Sequence, residues 1–447
     1  MTAPTPAPRR YAVIGTGHRS EMYLRALSDS HAEHAVPVAF VDPNPVRMQH
    51  YLDLVASLHP ELEPPSRWAP EQFEEMVAAV RPDAVVITTP DALHSEYIVA
   101  ALAHDLDVVV EKPITTTAEK ARAIAEAAQR SAGRITMTFN YRYSPRNSLV
   151  RELVAAGEIG TVTSVHFEWL LDTGHGADYF RRWHREKEMS GGLQIHKASH
   201  HFDLVNWWLG DTPSQVTALG SRRFYGAEHA AEHGVDPRAR TSRELPESDP
   251  FRIDLSADER MRALNLEAEA ADGYARDQNV FGEGVTIDDT LNVLVGYRGG
   301  AALTYSLHAY APWEGYRVAL NGTRGRIELD VCERPHRAPE EAEIDPSALE
   351  ESAPGEEATE VRTRRSTLRL QRQWERAVEI PIPTGRGGHG GGDAMLLDDV
   401  FGGGASDPLG RQASWVDGLR SAVIGIAANA SMTSGGTVHV DRFDLPL

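Results

Sequence analysis

The sequence is short of several things, and each shortage excludes something. It has one cysteine, Cys332, in 447 residues. One thiol cannot form an intramolecular disulfide or a cysteine-based metal cluster, and it points to a reducing, cytoplasmic compartment. No apolar run approaches the ~20 residues needed to cross a bilayer, so no membrane partner is expected. Positive charge is scarce: 45 Lys and Arg stand against 65 Asp and Glu, a formal charge of −20. A general nucleic-acid or anionic-membrane surface needs the opposite balance. Residues 1–9 are proline-rich and lack an apolar signal core, and read as a disordered leader. What remains is ample for two or three domains around a substantial core, in a protein suited to a small-molecule ligand.

The first third alternates between short apolar strands and helical segments. Tyr11-Ala-Val-Ile14 leads into Gly15-Thr-Gly17-His-Arg-Ser20, and a helical segment follows. Strand, tight turn and helix N-terminus form the context in which a glycine-rich loop cradles a pyrophosphate. Ser20 stands where the third glycine of the fingerprint would be. Pro37 to Val41 ends at Asp42, at the ~20-residue offset expected for the acid that binds an adenosine ribose. A carboxylate there favours NAD over NADP, while Arg19 and Arg47 lie close by in sequence. Buried strands recur at Ala84–Thr88, Val108–Val110 and Ile135–Phe139, which implies a parallel sheet covered on both faces. Ligands of such sheets lie at the carboxyl ends of the strands. Three marks fall there: Thr88-Thr-Pro-Asp-Ala-Leu-His94, Glu111-Lys112-Pro113 and Asn140-Tyr-Arg142. Gly15, Gly17, His18, Arg19, Asp42, Thr89, Pro90, His94, Glu111 and Asn140 are therefore the cofactor candidates. Lys112, after three valines and a glutamate, is placed to polarise a substrate hydroxyl or carbonyl.

Ser190 to Gly210 is the stretch on which catalysis is expected to centre. After Gly191-Gly192, His196, His200 and Asp203 fall at i, i+4 and i+7, on one face of a predicted helix. Paired histidines at that spacing can hold zinc, but there is no HExxH arrangement, and no metal site is expected. Asp172 to His184 reads as an active-site loop, its Arg182 among aromatic side chains suited to a sugar or acidic group. Residues 222–284 form an unusually long connection, read as an insertion over the cleft. Ser306, His308 and Tyr310 share one face of a strand, facing the cleft or a subunit interface. A second insertion is expected near 333–392. Its end, Gly385 to Asp393, is a glycine-rich run carrying His389 and Asp393 before a helix.

The ordered set GTGHRS, TPDALH, EKP, NYR, then GG and HxxD before a tryptophan-rich helix end, resembles the Gfo/Idh/MocA oxidoreductases. The resemblance implies an α/β protein. An N-terminal Rossmann domain, a doubly wound parallel sheet over residues 10–140, would precede an α+β domain over 141–447 with a large, mostly antiparallel sheet. It implies that Lys112 lies beside the nicotinamide and that His200 matches the family's catalytic histidine. Four residues earlier the family usually has an aspartate; this chain has His196. A neutral imidazole supplies no fixed charge, but it can act as acid, base or hydrogen-bond partner. Resemblance also makes His389 and Asp393 candidates for the substrate site, with Arg142, Arg182 and Tyr310. The expected activity is NAD-dependent hydride transfer from a ring carbon of a sugar, glycoside or cyclic polyol, in a homo-oligomer. An alternative keeps NAD through the cycle and cleaves a glycoside by transient oxidation and elimination. A third, a non-catalytic dinucleotide-binding regulator, has no DNA-binding motif behind it.

Overall fold

The computed structural model describes residues 7–338, 362–383, 392–402 and 407–447. Two sheets organise them. The first contains β1 (Arg9–Ile14), β2 (Ala35–Val41), β3 (Ser66–Trp68), β4 (Ala84–Ile87), β5 (Asp107–Val110) and β6 (Ile135–Met137). The second is built on β7 (Val162–Asp172), β8 (Pro213–Ser221), β9 (Thr290–Tyr297), β10 (Ala302–Ala311), β11 (Glu314–Gly322) and β12 (Gly325–Arg334). Farther along the chain, β13 (Arg365–Arg372), β14 (Val378–Ile380) and β16 (Val438–His439) join the second sheet, and β15 (Ala413–Ser414) returns to the first.

The first sheet has seven strands in the order β15-β6-β5-β4-β1-β2-β3. All pairings are parallel except that of β15 with β6. Its central strands are apolar because both faces are covered: Tyr11 to Ile14 and Ala84 to Ile87 are all buried. The strand order reverses direction at β1, between β4 and β2, which places the ligand crevice beyond the carboxyl end of β1. Helix Pro45–Leu58 starts where the Asn44 side chain accepts hydrogen bonds from the Val46 and Arg47 amides, with proline at its first position.

The second sheet has nine strands, ordered β14-β13-β12-β11-β7-β10-β9-β8-β16. It is antiparallel apart from the β10–β7 pair. Along β10, Leu303, Tyr305, Leu307, Ala309 and Ala311 are buried and the residues between them are not. That alternation turns one face inward: Tyr305 meets His201 and Phe202 of helix Ala198–Leu209, and helix Trp415–Ser434 packs on β8. The long helix begins at a Ser414–Asp417 capping box and stops at Gly435, in the left-handed region. Gly425 lets it approach closely: a Cβ there would lie 2.3 Å from the Gln194 carbonyl oxygen. The turn bearing His196 therefore rests directly on this helix.

Three expectations need correction. The chain after residue 141 is not confined to the second sheet, because Ala413 and Ser414 pair with Met137 and Thr136 of the first. The expected insertion near 333–392 contains β13 and β14, which extend the sheet; their alternation is short and charged on its open face. The expected loop Asp172 to His184 is largely helical, with a helix at His175–Arg181.

Candidate active site

The crevice is set by backbone geometry. Gly15 has φ +86°, and a Cβ on it would sit 2.9 Å from the Thr89 amide nitrogen, so glycine lets the loops after β1 and β4 touch. The Thr88 hydroxyl donates to the Gly15 carbonyl at 2.7 Å. The Tyr51 and Ser20 hydroxyls donate to the Gly17 carbonyl, at 2.9 and 2.7 Å, turning it inward. The outer side of Gly17 is open, with no atom within 4 Å of where a Cβ would stand. Asp42 is buried, and its two oxygens accept from the Thr16 amide (2.6 Å) and the Asn44 amide (2.7 Å). Burial nonetheless pushes its carboxyl up from the ordinary value. Thr89 Oγ1 and Asn140 Oδ1 are enclosed without a hydrogen-bond partner among the described residues. Open space over Gly17 and unsatisfied polar atoms at neighbouring strand ends fit a dinucleotide.

His94 shapes this crevice from behind. It is buried, with Nδ1 2.7 Å from the Pro113 carbonyl oxygen and Nε2 2.9 Å from that of Thr89. It ties the loop after β4 to the Glu111-Lys112-Pro113 turn. Burial holds its pKa below the ordinary histidine value. Glu111 Oε1 accepts from Arg19 Nε at 2.6 Å and from the Tyr23 hydroxyl at 2.7 Å. Burial acts to raise Glu111, but Arg19 and Lys112 outweigh it and hold the carboxyl below its usual range. Asn140 Nδ2 donates to Asp393 at 2.7 Å, and Arg19 lies 3.9 Å from the same carboxylate. Asp393, expected at the substrate, is thus beside the cofactor candidates Arg19 and Asn140. His18 is half-buried at the same loop. Pro90, also half-buried, leads directly into Asp91.

Lys112 reaches across from the first sheet to the second domain. Its Nζ lies 3.4 Å from His196 Nε2 and donates to the His196 carbonyl at 3.3 Å. On the other side of the ring, His196 Nδ1 is 2.6 Å from Asp91 Oδ2. A lysine ammonium can only donate, so Nε2 accepts and the ring hydrogen is assigned to Nδ1, facing Asp91. The result is a carboxylate–imidazole–amine chain. Burial pushes the Asp91 carboxyl up, against the pull of Lys112. It pushes His196 down, helped by Lys112, His184, Arg182 and Lys197. Lys112 is brought down to about 8 by burial, opposed by Asp91 and Glu111.

His196, His200 and Asp203 do not form one functional row. The helix is interrupted at Lys197, between Leu193–His196 and Ala198–Leu209. His200 stacks on Tyr141, ring centroids 4.4 Å apart, and is 7 % exposed. Asp203 takes both Nε and an outer nitrogen of Arg142, at 2.7 and 2.6 Å, in a fully buried pair. Arg142 also lies 3.5 Å from Asp417. A guanidinium so engaged fastens the Asn140–Tyr143 turn to the helix rather than presenting itself to substrate. Tyr310 is another displacement from expectation. It stacks on Phe224 of the insertion and bonds Thr290, on the sheet face opposite Tyr305 and the His200 helix. Arg182 does join the centre: it binds Asp178 at 2.9 Å and its charge depresses His196. His389 lies outside the described residues.

Sequence reasoning missed several groups here. Asp91 stood inside the TPDALH mark without a role. His184 stacks on Trp183 and packs 4.1 Å from the His196 ring, and Tyr179 lies 5.6 Å from it. Behind Tyr179, His175 Nε2 is 3.1 Å from its hydroxyl, and His175 Nδ1 is 2.6 Å from Glu314. Lys197 is buried, 4.8 Å above the Trp169 ring. Tyr179, Trp183 and His184 lie in the expected active-site loop without these partners being foreseen; the roles of Asp91, Glu314 and Lys197 have no local mark, because their partners come from other elements.

Among the described residues no group of His, Cys, Asp and Glu is arranged to hold a metal ion, and no helix is long and apolar enough to cross a membrane. Residues 9–139 match the family model described as "Oxidoreductase family, NAD-binding Rossmann fold". Residues 151–440 match its companion, "Oxidoreductase family, C-terminal alpha/beta domain". The chain belongs to the Gfo/Idh/MocA oxidoreductase family. Among Gfo/Idh/MocA relatives, YteT of Bacillus subtilis (strain 168), which carries the name of an oxidoreductase, is 35% identical over 424 residues, covering 92% of each chain. Inositol 2-dehydrogenase of Rhizobium meliloti (strain 1021) is 26% identical over 212 residues, 47% of this chain and 58% of that one. The fold matches levoglucosan dehydrogenase, solved in complex with NADH and levoglucosan, with TM-score 0.64 and 17% identity, covering 97% and 99% of the two chains.

Proposed function

We propose that this chain is an NAD-dependent dehydrogenase of a ring alcohol, in a sugar, glycoside or cyclic polyol. The observation that carries the reading is the Asp91–His196–Lys112 chain, which ends next to Glu111, the carboxylate that holds Arg19 of the glycine loop. Its support includes the family's dinucleotide domain and relatives named for inositol and levoglucosan. Gly15, Gly17 and Asp42 would hold the pyrophosphate and adenosine ribose, and Thr89 and Asn140 would offer their unsatisfied atoms. Bound there, the nicotinamide supplies a hydride acceptor.

The chain's own residues handle the proton. The Lys112 amine, lowered to about 8, is poised near neutrality to take it from the substrate hydroxyl. His196, held below the ordinary histidine value, stays neutral; its Nε2 accepts from the ammonium that forms, and Asp91 fixes the ring through Nδ1. His200, held flat against Tyr141, borders the same helix face one turn on and would orient the ring. Arg182 and Trp183 would line the far side.

The test is to supply NAD with a panel of pyranoses, glycosides and cyclic polyols and follow reduced-cofactor absorbance. At least one substrate should turn over, and Lys112→Ala should lower kcat by about 10²–10⁴. No turnover across the panel and no nucleotide binding would end the proposal.

One observation favours the redox-neutral alternative enough to keep it. Glu314–His175–Tyr179 forms a second carboxylate–imidazole chain beside His196. Burial raises the Tyr179 phenol, so it stays protonated. A second proton donor is what departure of an aglycone requires. That reading expects aglycone release without net reduced cofactor.

A further inference from the structure

We infer that Asp272, from the insertion of residues 222–284, makes the cofactor pocket selective for NAD over NADP by capturing the one arginine placed to meet a 2′-phosphate. The inference rests on the dinucleotide reading above.

The insertion does more than cover the substrate cleft. It crosses to the first domain and closes the outer side of the loops after β1 and β2. Arg260 binds Glu21 at 3.1 Å, on the helix that follows the glycine loop. Leu264 is buried in the first domain's core with Tyr23, Phe40 and Tyr51. Asn44, which caps the helix after β2, donates to the Ala268 carbonyl and to Asp272, both at 2.9 Å. Buried apolar contact plus several hydrogen bonds make this a fixed wall.

That wall determines the charge at the adenosine end. The 42–47 loop contains a single basic side chain, Arg47. It sits in the first turn of the helix after Asp42, where a phosphate on the ribose would seek a cation. Its NH1 binds Asp272 at 2.6 Å and its Nε donates to the Leu264 carbonyl at 3.0 Å. Its Nη2 is enclosed without a partner among the described residues. In the glycine loop, Arg19 is taken by Glu111. A 2′-phosphate entering here would meet the carboxylates of Asp42 and Asp272, with the Arg47 charge already balanced by Asp272 and that of Arg19 by Glu111. A 2′-hydroxyl, uncharged, can donate to either carboxylate without that repulsion.

The experiment is a calorimetric titration of the full chain with NAD and, separately, with NADP, repeated with Asp272→Asn and with Asp272→Asn/Arg47→Ala. The asparagine keeps an acceptor for Asn44 and removes the charge. Wild type should bind NAD more tightly than NADP. Asp272→Asn should reduce that preference by about tenfold, mainly by tightening NADP. Adding Arg47→Ala should abolish the gain. An unchanged NAD-to-NADP ratio in Asp272→Asn, or a gain that persists without Arg47, overturns the inference and leaves the dinucleotide reading standing. Binding of neither nucleotide by the wild type overturns both.

Discussion

At the scale of single residues, the site turns on how one buried lysine is held. A carboxylate reached through an imidazole is farther from Lys112 than a direct partner would be, so it stabilises the ammonium only in part. Burial then prevails and leaves the amine at about 8. If the neutral amine is the proton acceptor, the rate of substrate oxidation rises with pH and levels off above about 8. Asp91 acts to raise the lysine's pKa. Asp91→Asn should therefore move that inflection to lower pH and lower the plateau by about tenfold or more. A pH–rate profile checks both, and an inflection that stays in place would mean Asp91 only supports the loop. Lys112, His196 and the glycine loop were legible because each stands in a local pattern: strand end, helix turn, Gly-x-Gly. Asp91 was not, because its meaning depends on His196, far along the chain. Arg142 and Tyr310 misled for the same reason. An arginine or tyrosine near a motif looks available until Asp203 or Phe224 is found against it.

At the scale of elements, the turn from Gly191 to Lys197 is the critical piece. It is held by the helix Trp415–Ser434, through Asn429 Nδ2 on the Gly191 carbonyl (2.8 Å) and Ser421 on the Ser199 carbonyl (2.6 Å). Gly425 makes that closeness possible. Gly425→Ala should push the turn away, costing about 1–3 kcal/mol of stability in a denaturant titration and lowering kcat through the displaced His196. Stability and kcat both unchanged would show that the turn does not depend on the helix. The helix expected over His196, His200 and Asp203 is irregular at Lys197, although the backbone there stays in the right-handed region. Spacing could not reveal that the three side chains go to separate partners: Asp91 and Lys112 for His196, Tyr141 for His200, Arg142 for Asp203. The parallel strands of the first domain were legible as continuous apolar runs. β13 and β14 were not, since their open face carries charge.

At the scale of the whole molecule, the chain assembles its site from distant parts. Lys112 and Asp91 come from the first sheet, His196 and Tyr179 from the second domain, and the wall at Asn44 and Arg47 from the insertion. The long connection was visible in the sequence by its length and composition; its docking on the first domain's core through Leu264 was not. The division into two domains came from the family resemblance, whereas the return of Ala413 and Ser414 to the first sheet is too short to announce itself. The measurement that bears most directly on this arrangement is a crystal structure of the chain with NAD bound. The account requires the pyrophosphate over Gly17, the adenosine ribose at Asp42 and the nicotinamide ring against Lys112 and His196. A dinucleotide seated elsewhere, or a nicotinamide out of reach of Lys112, would contradict it.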